Sequence, residues 1–293
     1  MLNNFLALTK DKSKCYWKLI KSYQTGLLLI TGITGYISAR CPAHSLYLLA
    51  SLNGSLFLAI SGSTILNMFY DRDIDAKMPR AMLRPLPSGK VTPSETLILG
   101  LIVSSAGLLW SFYLSYFYGV IVLSGLFIDV VLYTIWLKRR TPWSIIFGGI
   151  SGGMPILAGR VLGLGSLDYV GLLFSISILL WIPIHILTFS IKYNSHYSAA
   201  GIPTFPNKYG TKNTRLIIGA SSLLTPISIA IGALGLGISW GYLRLLTVLS
   251  IGILILLIAS YSSLSEKINF ALFKYASLYM LLAMLIVSLG ILL

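Results

Sequence analysis

Long apolar runs separated by short polar stretches follow one another along the whole chain. A helix needs about 20 mostly apolar residues to cross a hydrocarbon core of about 30 Å. By this length criterion the pattern predicts nine membrane-spanning helices. The predicted spans are residues 19–38, 45–69, 92–113, 115–137, 143–162, 169–191, 216–236, 238–261 and 270–292.

The composition agrees with a bilayer as the solvent of this chain. Hydrophobic residues make up 56% of it, charged residues only 10%, and the mean hydropathy is +0.84. No stretch is rich enough in Gly, Ser, Pro or charge to act as a linker. We therefore expect residues 1–293 to form a single membrane domain, an all-α polytopic protein.

The basic residues predict how the chain is oriented. With nine spans, nineteen of the 22 Lys and Arg residues fall on one side, and only Arg40, Arg160 and Arg244 fall on the other. Basic loops stay in the cytoplasm. We therefore expect a multi-pass protein of the plasma membrane with a cytoplasmic N-terminus and an external C-terminus.

Charge and cysteine positions argue against nucleic-acid binding, a disulfide and a zinc site. The formal charge of +14 follows from membrane topology, so we expect no nucleic-acid partner. Cys15 and Cys41 are predicted on opposite sides of the membrane and cannot pair, and no His/Cys cluster suggests zinc.

Acidic residues concentrate at the end of the second predicted helix. Asp71, Asp73 and Asp75 are three of only eight acidic residues in the chain. If the helix continues through them, Asn67, Asp71 and Asp75 recur at every fourth position and share one face, whereas Asp73 points elsewhere. The spacing predicts a cluster of two carboxylates and one amide.

Such a cluster suits a hard cation. Oxygen ligands at membrane depth repel one another unless a positive charge neutralises them, and Mg²⁺ is the usual partner. Basic residues nearby are suited to the remaining oxygens of a diphosphate, namely Arg80, Arg84, Lys138, Arg139 and Arg140. Metal and cations together would stabilise a departing diphosphate.

A simpler interpretation is a solvated helix end. Asp71, Asp73 and Asp75 would then pair with Arg72, Lys77 and Arg80. Asn67 counts against this, because an amide a further turn inside the bilayer needs a partner. Nearby Thr92, Pro93 and Glu95 predict the capping box of the next helix, so we expect Glu95 to be structural.

At these residues the chain resembles the UbiA-type intramembrane prenyltransferases. Their first acidic motif, Asn-x-x-x-Asp-x-x-x-Asp, is matched by Asn67, Asp71 and Asp75. Within that superfamily the strings at 71–87, 133–142, 148–155 and 197–203 are most similar to the haem O synthase branch. The resemblance extends from the second predicted helix through the seventh.

The resemblance implies a bundle of nine helices around a cavity that opens to the membrane, with its active site on the cytoplasmic side. It implies transfer of a farnesyl or geranylgeranyl group from a prenyl diphosphate to a vinyl group of haem B, with Mg²⁺ as cofactor. Besides these substrates and the lipid bilayer, the expected partners are terminal-oxidase assembly proteins.

By the same matching, functional residues are expected on several loops. Asn67, Asp71 and Asp75 would hold magnesium and diphosphate, with Arg84 and Lys138 as further catalytic residues. The substrate-binding candidates are Arg80, Arg139, Lys192, Tyr193, His185 and Tyr133. We expect His185 either to contact haem or to bond a neighbouring helix.

One segment departs from the family pattern. Where relatives carry acidic residues after the sixth helix, this chain has no carboxylate between Lys192 and Tyr197. Asn194 and His196 are the candidate ligands for a second metal. Alternatively, one metal suffices and Lys192 bonds the diphosphate directly.

Three other functions compete with this prediction. The first is a related prenyltransferase with an aromatic acid, a quinone precursor or a glycerol-phosphate lipid as acceptor. The second is a transporter in which Asp71 and Asp75 bind a coupling ion. The third is a haem-binding or assembly protein without catalysis.

Overall fold

The computed structural model describes residues 12–39, 45–263 and 265–293, and every regular element in these ranges is helical. A helical segment at residues 12–19 precedes α1. The helices are α1 Ser22–Ser38, α2 Leu46–Tyr70, α3 Arg72–Lys77, α4 Pro93–Leu114, α5 Tyr116–Leu126, α6 Ser144–Leu164, α7 Tyr169–Lys192, α8 Asn194–Ala199, α9 Phe205–Gly235, α10 Trp240–Ser263 and α11 Glu266–Leu292. Arg40 and Cys41 lie outside the described ranges.

The helices identify a multi-pass membrane protein. Eight of the described helices are long and apolar enough to cross a bilayer, counting α5 together with its continuation to Leu137. Their outer faces carry exposed apolar side chains such as Leu109 on α4 and Val248 on α10, which water would not tolerate in this number. Helix α1, with 17 residues, is the predicted ninth crossing. The ninth crossing and the orientation of the termini stay predictions.

The predicted spans agree with these helices to within four residues at each end, with one exception. The seventh was predicted to begin at residue 216, but α9 begins at Phe205 and continues through a break at Gly210. The polar residues 211–215 are helical outside the apolar run, and for this reason hydropathy did not detect them. Helix α1 begins at Ser22, three residues after the predicted start of the first span. The reason is that Lys21 has left-handed backbone angles, with φ 47° and ψ 57°.

Small residues bring the helices around the site into close contact. A Cβ added to Gly35 of α1 would lie 2.0 Å from the carbonyl oxygen of Ile156 on α6. Likewise, a Cβ on Gly107 of α4 would lie 2.4 Å from the backbone nitrogen of Ala59 on α2. Such backbone contacts are typical of helix pairs in membranes, where packing replaces the hydrophobic effect.

The predicted capping box fixes the start of α4. Thr92 accepts from the backbone N–H of Glu95, the Glu95 carboxylate accepts from that of Thr92, and Pro93 occupies the first turn, which confirms the structural role predicted for Glu95. Its other carboxylate oxygen accepts from Lys12 Nζ at 2.8 Å and Tyr16 Oη at 2.6 Å. These bonds hold the segment before α1 against the start of α4.

The helical path does not stop at the end of α5. It continues through Phe127–Leu137 with π-helical hydrogen bonding, and this stretch is called the π-helical segment. Within this π-helical segment the Thr134 hydroxyl donates to the Asp129 carbonyl at 2.8 Å. A π-helix turns the residues on either side of it out of α-helical register. The altered register sets which side chains of α5 face α2 and the interior.

Candidate active site

Three polar side chains at the end of α2 share one buried face. Asn67, Asp71 and Asp75 are 6%, 3% and 5% exposed, whereas the Asp73 side chain is 55% exposed. The chain stays helical across the junction of α2 and α3, because the Asp71 N–H donates to the Asn67 carbonyl and the Asp75 N–H to that of Asp71. The structure thus contains the cluster that the four-residue spacing predicted.

Each buried carboxylate is paired with a cation from a different part of the chain. Lys138, just after the π-helical segment, forms an ion pair with Asp71. Arg84, in the loop after α3, binds Asp75 with an N–O distance of 2.6 Å. Burial by itself lowers the pKa of Lys138, but attraction to Tyr133 and Asp71 outweighs it and raises the pKa above its ordinary value. The Lys138 ammonium is therefore held in its charged form beside Asp71.

Asn67 links three segments. Its Nδ2 donates to Thr134 Oγ1 at 2.8 Å, which connects α2 to the π-helical segment. Its Oδ1 accepts from Lys21 Nζ at 3.4 Å, which connects α2 to the start of α1. The amide one turn inside the bilayer is therefore satisfied on both sides.

Asp73 belongs to a separate surface pair. Both oxygens of its carboxylate accept from Arg139 at 2.7 and 2.8 Å, and Arg139 also donates to the Tyr70 carbonyl at 2.6 Å. The hydrogen bond from Arg139 holds the pKa of Asp73 below its ordinary value. Part of the mixed-charge run therefore behaves as the solvated helix end of the simpler interpretation, while Asp71 and Asp75 do not.

Two cavities meet at this cluster. The polar cavity, of about 600 Å³, is lined by Asp71, Asp75, Arg80, Arg84 and Tyr197, together with α1, α7 and α9 residues. The apolar cavity, of about 310 Å³, extends between α1, α2, α5, α6 and α7. The residues that line both are Lys21, Gln24, Asn67, Tyr133, Lys138, Ile145, His185 and Ile186. The polar cavity, which contains both buried carboxylates, thus adjoins the more apolar one.

The sequence matches the model of a known family. Residues 28–292 match the model of the UbiA prenyltransferase family. The chain belongs to the UbiA prenyltransferase family. It is accordingly an enzyme, a prenyltransferase.

Two similar proteins have the same name. A protoheme IX farnesyltransferase of Archaeoglobus fulgidus is 43% identical over 196 residues, which are 67% of this chain and 69% of that protein. Another, of Caldivirga maquilingensis, is 33% identical over 274 residues, which are 93% of this chain and 97% of that protein.

Solved UbiA-type structures share the fold. A structure of digeranylgeranylglyceryl phosphate synthase matches 96% of this chain and 99% of its own with a TM-score of 0.79 at 20% identity. A UbiA homologue from Archaeoglobus fulgidus bound to GPP and Mg²⁺ matches 94% and 99% with a TM-score of 0.71 at 16% identity. At such identities the likeness establishes the fold alone.

The residues of this UbiA site fit one magnesium ion. Oδ1 of Asp71 is buried and has no hydrogen-bond partner among the described residues, so a ligand position is open on the buried face. Asp75 and the Asn67 amide supply oxygens of the same hard type one turn away on either side. No group of three or more His, Cys, Asp or Glu side chains is assembled for a metal anywhere in residues 12–39, 45–263 and 265–293.

Three of the six predicted substrate-binding residues, Arg80, Tyr133 and His185, line a cavity. Arg80 donates to Tyr197 Oη at 2.9 Å, and its guanidinium lies 4.7 Å from the centre of the Phe189 ring. His185 lines both cavities, stacked between Trp181 and Phe273 at 5.0 and 4.4 Å. Its Nδ1 bonds the Ser277 hydroxyl at 3.0 Å, so the bond to a neighbouring helix is present.

The residues predicted around α8 do not join the site. Lys192, Tyr193, Asn194 and His196 are absent from the linings of both cavities, and Lys192 Nζ lies 3.3 Å from the centre of the Phe270 ring. Arg139 is likewise turned to Asp73 on the surface. Asn194 Oδ1 and His196 Nδ1 are buried without a hydrogen-bond partner among the described residues, yet they face neither cavity.

Two residues of the site were not predicted from the sequence. Lys21 was counted only as a topological charge, but it bonds Asn67 and lines both cavities. Asp129 lies inside a predicted span and lines the apolar cavity. An acidic residue within an apolar run was the available signal, because a charge at membrane depth is costly unless it has a function.

Proposed function

We propose that this chain transfers a prenyl group, farnesyl or geranylgeranyl, from its diphosphate to a vinyl group of haem B. The observation that carries the proposal is the junction of the two cavities. A pair of buried carboxylates and several cations stand at one end of a space lined mainly by apolar side chains. A prenyl diphosphate has the same division into a highly charged head and an apolar tail.

The charges around the junction favour an anionic ligand. Lys21, Lys138 and Arg84 converge there with Asp71 and Asp75, and Arg80 lines the same polar cavity. The cations exceed the carboxylates, so a bound diphosphate would neutralise charge that the protein alone leaves unbalanced. We assign Lys21, Arg84 and Lys138 to the diphosphate oxygens, with Arg80 at the edge.

Asp71, Asp75 and Asn67 would hold magnesium in this arrangement. When bound, the ion supplies positive charge to the departing diphosphate. Lys138 and Arg84, which already bind the same carboxylates, would exchange part of that contact for phosphate oxygens as the charge on the leaving group grows. Both cations are in position before the substrate arrives, so little reorganisation is required.

The apolar cavity would hold the prenyl tail and shield the allylic cation from water. Its volume of about 310 Å³ lies at the lower end of small-molecule pockets, which span about 300–1,000 Å³. Tyr133, whose ring lies 5.4 Å from Lys138 Nζ, lines the junction and presents an aromatic face to a developing positive charge. Attack by the vinyl π-bond would then join the two substrates, and water would complete the product.

The acceptor is proposed from two lines of support. The relatives named protoheme IX farnesyltransferase are 33–43% identical to this chain, and one is covered over 97% of its length. His185 is held between two aromatic rings and lines both cavities. Flat, mainly apolar side chains with an imidazole among them suit a haem. The cytoplasmic opening, the plasma membrane and the oxidase-assembly partners stay predictions from the loop charges and the resemblance.

The acceptor test uses purified protein in detergent with Mg²⁺ and farnesyl diphosphate. Diphosphate release is measured with haem B and, as matched control, with a haem whose two vinyl groups have been reduced to ethyl. We expect release to rise with haem B and not with the reduced haem. Equal release with both, or release that instead follows an aromatic or glycerol-phosphate acceptor, would overturn the haem assignment.

A further inference from the structure

A carboxylate stands in the apolar cavity without a role in the chemistry described so far. Asp129 lies on the π-helical segment, inside a membrane span, and lines this cavity but not the polar one. Ionisable groups at membrane depth are costly, and where they occur they face a cavity or a pathway. We propose that Asp129 is the catalytic base that holds the product-forming water and accepts its proton.

The hydrogen bonds of Asp129 leave one oxygen available. Ser63 of α2 donates to Oδ2. The hydroxyl of Ser151 lies 3.5 Å from Oδ1, but it donates to the Gly148 carbonyl at 2.8 Å and has only one hydrogen. Oδ1 therefore retains acceptor capacity in a space otherwise lined mainly by apolar groups, where a water molecule would be drawn to it.

The hydrogen bond from Ser63 places Asp129 about one turn of α2 away from Asn67. Ser63 precedes Asn67 by one helical turn, or about 6 Å. Asn67 lines both cavities, so in the proposed binding mode the diphosphate would lie on one side of it and Asp129 lies on the other. Lys21 lines both cavities, while Asp71 lines the polar one and Asp129 the apolar one, so Lys21 lies between the two carboxylates.

The π-helical segment accounts for this placement. The Thr134 hydroxyl donates to the Asp129 carbonyl and accepts from the Asn67 amide, so a single threonine connects the metal-binding face to the backbone of Asp129. The π-helical register thereby sets the position of the Asp129 carboxylate relative to Asn67. π-Helical turns recur at functional sites for this reason.

This inference rests on the proposed function and adds one step to it. Attack by the vinyl group leaves a cation on the former vinyl carbon next to the macrocycle. The water oxygen forms a C–O bond to that carbon, one of its O–H bonds breaks, and the proton passes to Asp129. Nothing is oxidised or reduced, and Asp129 returns the proton to solvent before the next turnover.

The test compares wild type with Asp129→Asn, which preserves the size of the side chain and an acceptor for Ser63. Each is incubated with haem B, Mg²⁺ and farnesyl diphosphate, and both diphosphate release and the masses of extracted haem are measured. We expect Asp129→Asn to release diphosphate at a rate similar to wild type. The ratio of hydrated to unhydrated prenyl haem should fall at least about 10-fold, because a positioned base contributes about 100-fold or more. The new product should be lighter than the wild-type product by one water molecule.

A purely structural role gives a different result. If Asp129 only joins α2 to α5, Asp129→Asn lowers release and product together and leaves the product ratio unchanged, which would overturn the inference. Asp129→Ser serves as a second neutral replacement, so that whichever variant is recovered folded decides. Glu266→Gln, an exposed carboxylate at the start of α11, is the matched control and should keep the wild-type ratio. Absence of any prenylated haem with the wild type would instead refute the proposed function.

Discussion

The end of α2 and the short helix α8 occupy the positions of the two acidic motifs expected from the resemblance, and they differ in almost every respect. At the end of α2, Asp71 and Asp75 are buried, line the polar cavity and are each paired with a cation. On α8, Asn194 and His196 have no carboxylate and line neither cavity. Carboxylates therefore line the polar cavity only from the side of α2 and α3.

The difference suggests a hypothesis for how this chain would balance the charge of a diphosphate without a second acidic motif. A second metal would need carboxylates on the α7–α8 side, and none stands between Lys192 and Tyr197. In the proposed function direct cations take that place, namely Lys21, Arg84 and Lys138 near the buried carboxylates and Arg80 beside Tyr197. Each substitution below tests one side of this comparison.

The largest effect is expected from the first motif. Asp71→Ala and Asp75→Ala should each lower prenyl transfer at least about 100-fold, because each removes an oxygen ligand and frees a cation from its position. Diphosphate release with haem B measures the loss. Asp73→Ala, at the exposed neighbour paired with Arg139, is the control and should stay within about 3-fold of wild type. Retained activity in both buried variants would refute the metal assignment.

The next effect separates two lysines that the sequence alone does not rank. Lys21→Met should lower kcat/KM about 10- to 100-fold, since a hydrogen bond to a charged group is worth about 1.5–3 kcal/mol. Lys192→Met should change it less than about 3-fold, because its ammonium lies over Phe270 and outside both cavities. Steady-state kinetics with farnesyl diphosphate distinguish them, and the reverse order would contradict the site described here.

A smaller effect is expected on α8. Asn194→Ala and His196→Ala should leave the Mg²⁺ concentration for half-maximal rate unchanged, because neither side chain reaches the polar cavity. Titration of the rate with MgCl₂ provides the measurement. A marked increase in the Mg²⁺ requirement of either variant would show that α8 contributes ligands after all and that a second metal binds.

The smallest effect concerns the surface pair of Asp73 and Arg139. The pKa of Asp73 is lowered in the folded protein, so the pair contributes stability above the ordinary pKa of 3.8 and loses it as pH falls through the lower folded value. The pair is exposed, and its contribution should be below about 1 kcal/mol. Thermal unfolding in detergent should show Asp73→Asn slightly below wild type at pH 6, with the gap closing at pH 3. A gap that widens in acid would contradict this sign.

Much of the fold follows from sequence because its elements depend on local patterns. Apolar length determined both ends of eight of the nine predicted spans to within four residues, and Thr92, Pro93 and Glu95 specified the start of α4. The four-residue spacing predicted the shared face of Asn67, Asp71 and Asp75. These features need only helical geometry and the length of the hydrocarbon core.

The rest of the site depends on backbone departures that spacing does not reveal. Lys21 reaches Asn67 from a left-handed turn before α1, a conformation uncommon for a non-glycine residue. Asp129 faces the cavity from a π-helical register, for which the sequence has no simple signal. Conversely, Lys192 and Tyr193 lie at the end of α7, where the sequence predicted the span to end. Their contacts with aromatic rings nevertheless hold them outside the cavities.

The most direct test of haem prenylation is the mass of haem after incubation of the purified protein with haem B, Mg²⁺ and either farnesyl or geranylgeranyl diphosphate. We expect a gain equal to one prenyl group plus one water, which would establish the reaction and the chain length together. With Asp71→Ala this product should be at least about 100-fold less abundant. Unchanged haem with both donors, under conditions where the protein binds them, would contradict prenyl transfer to haem.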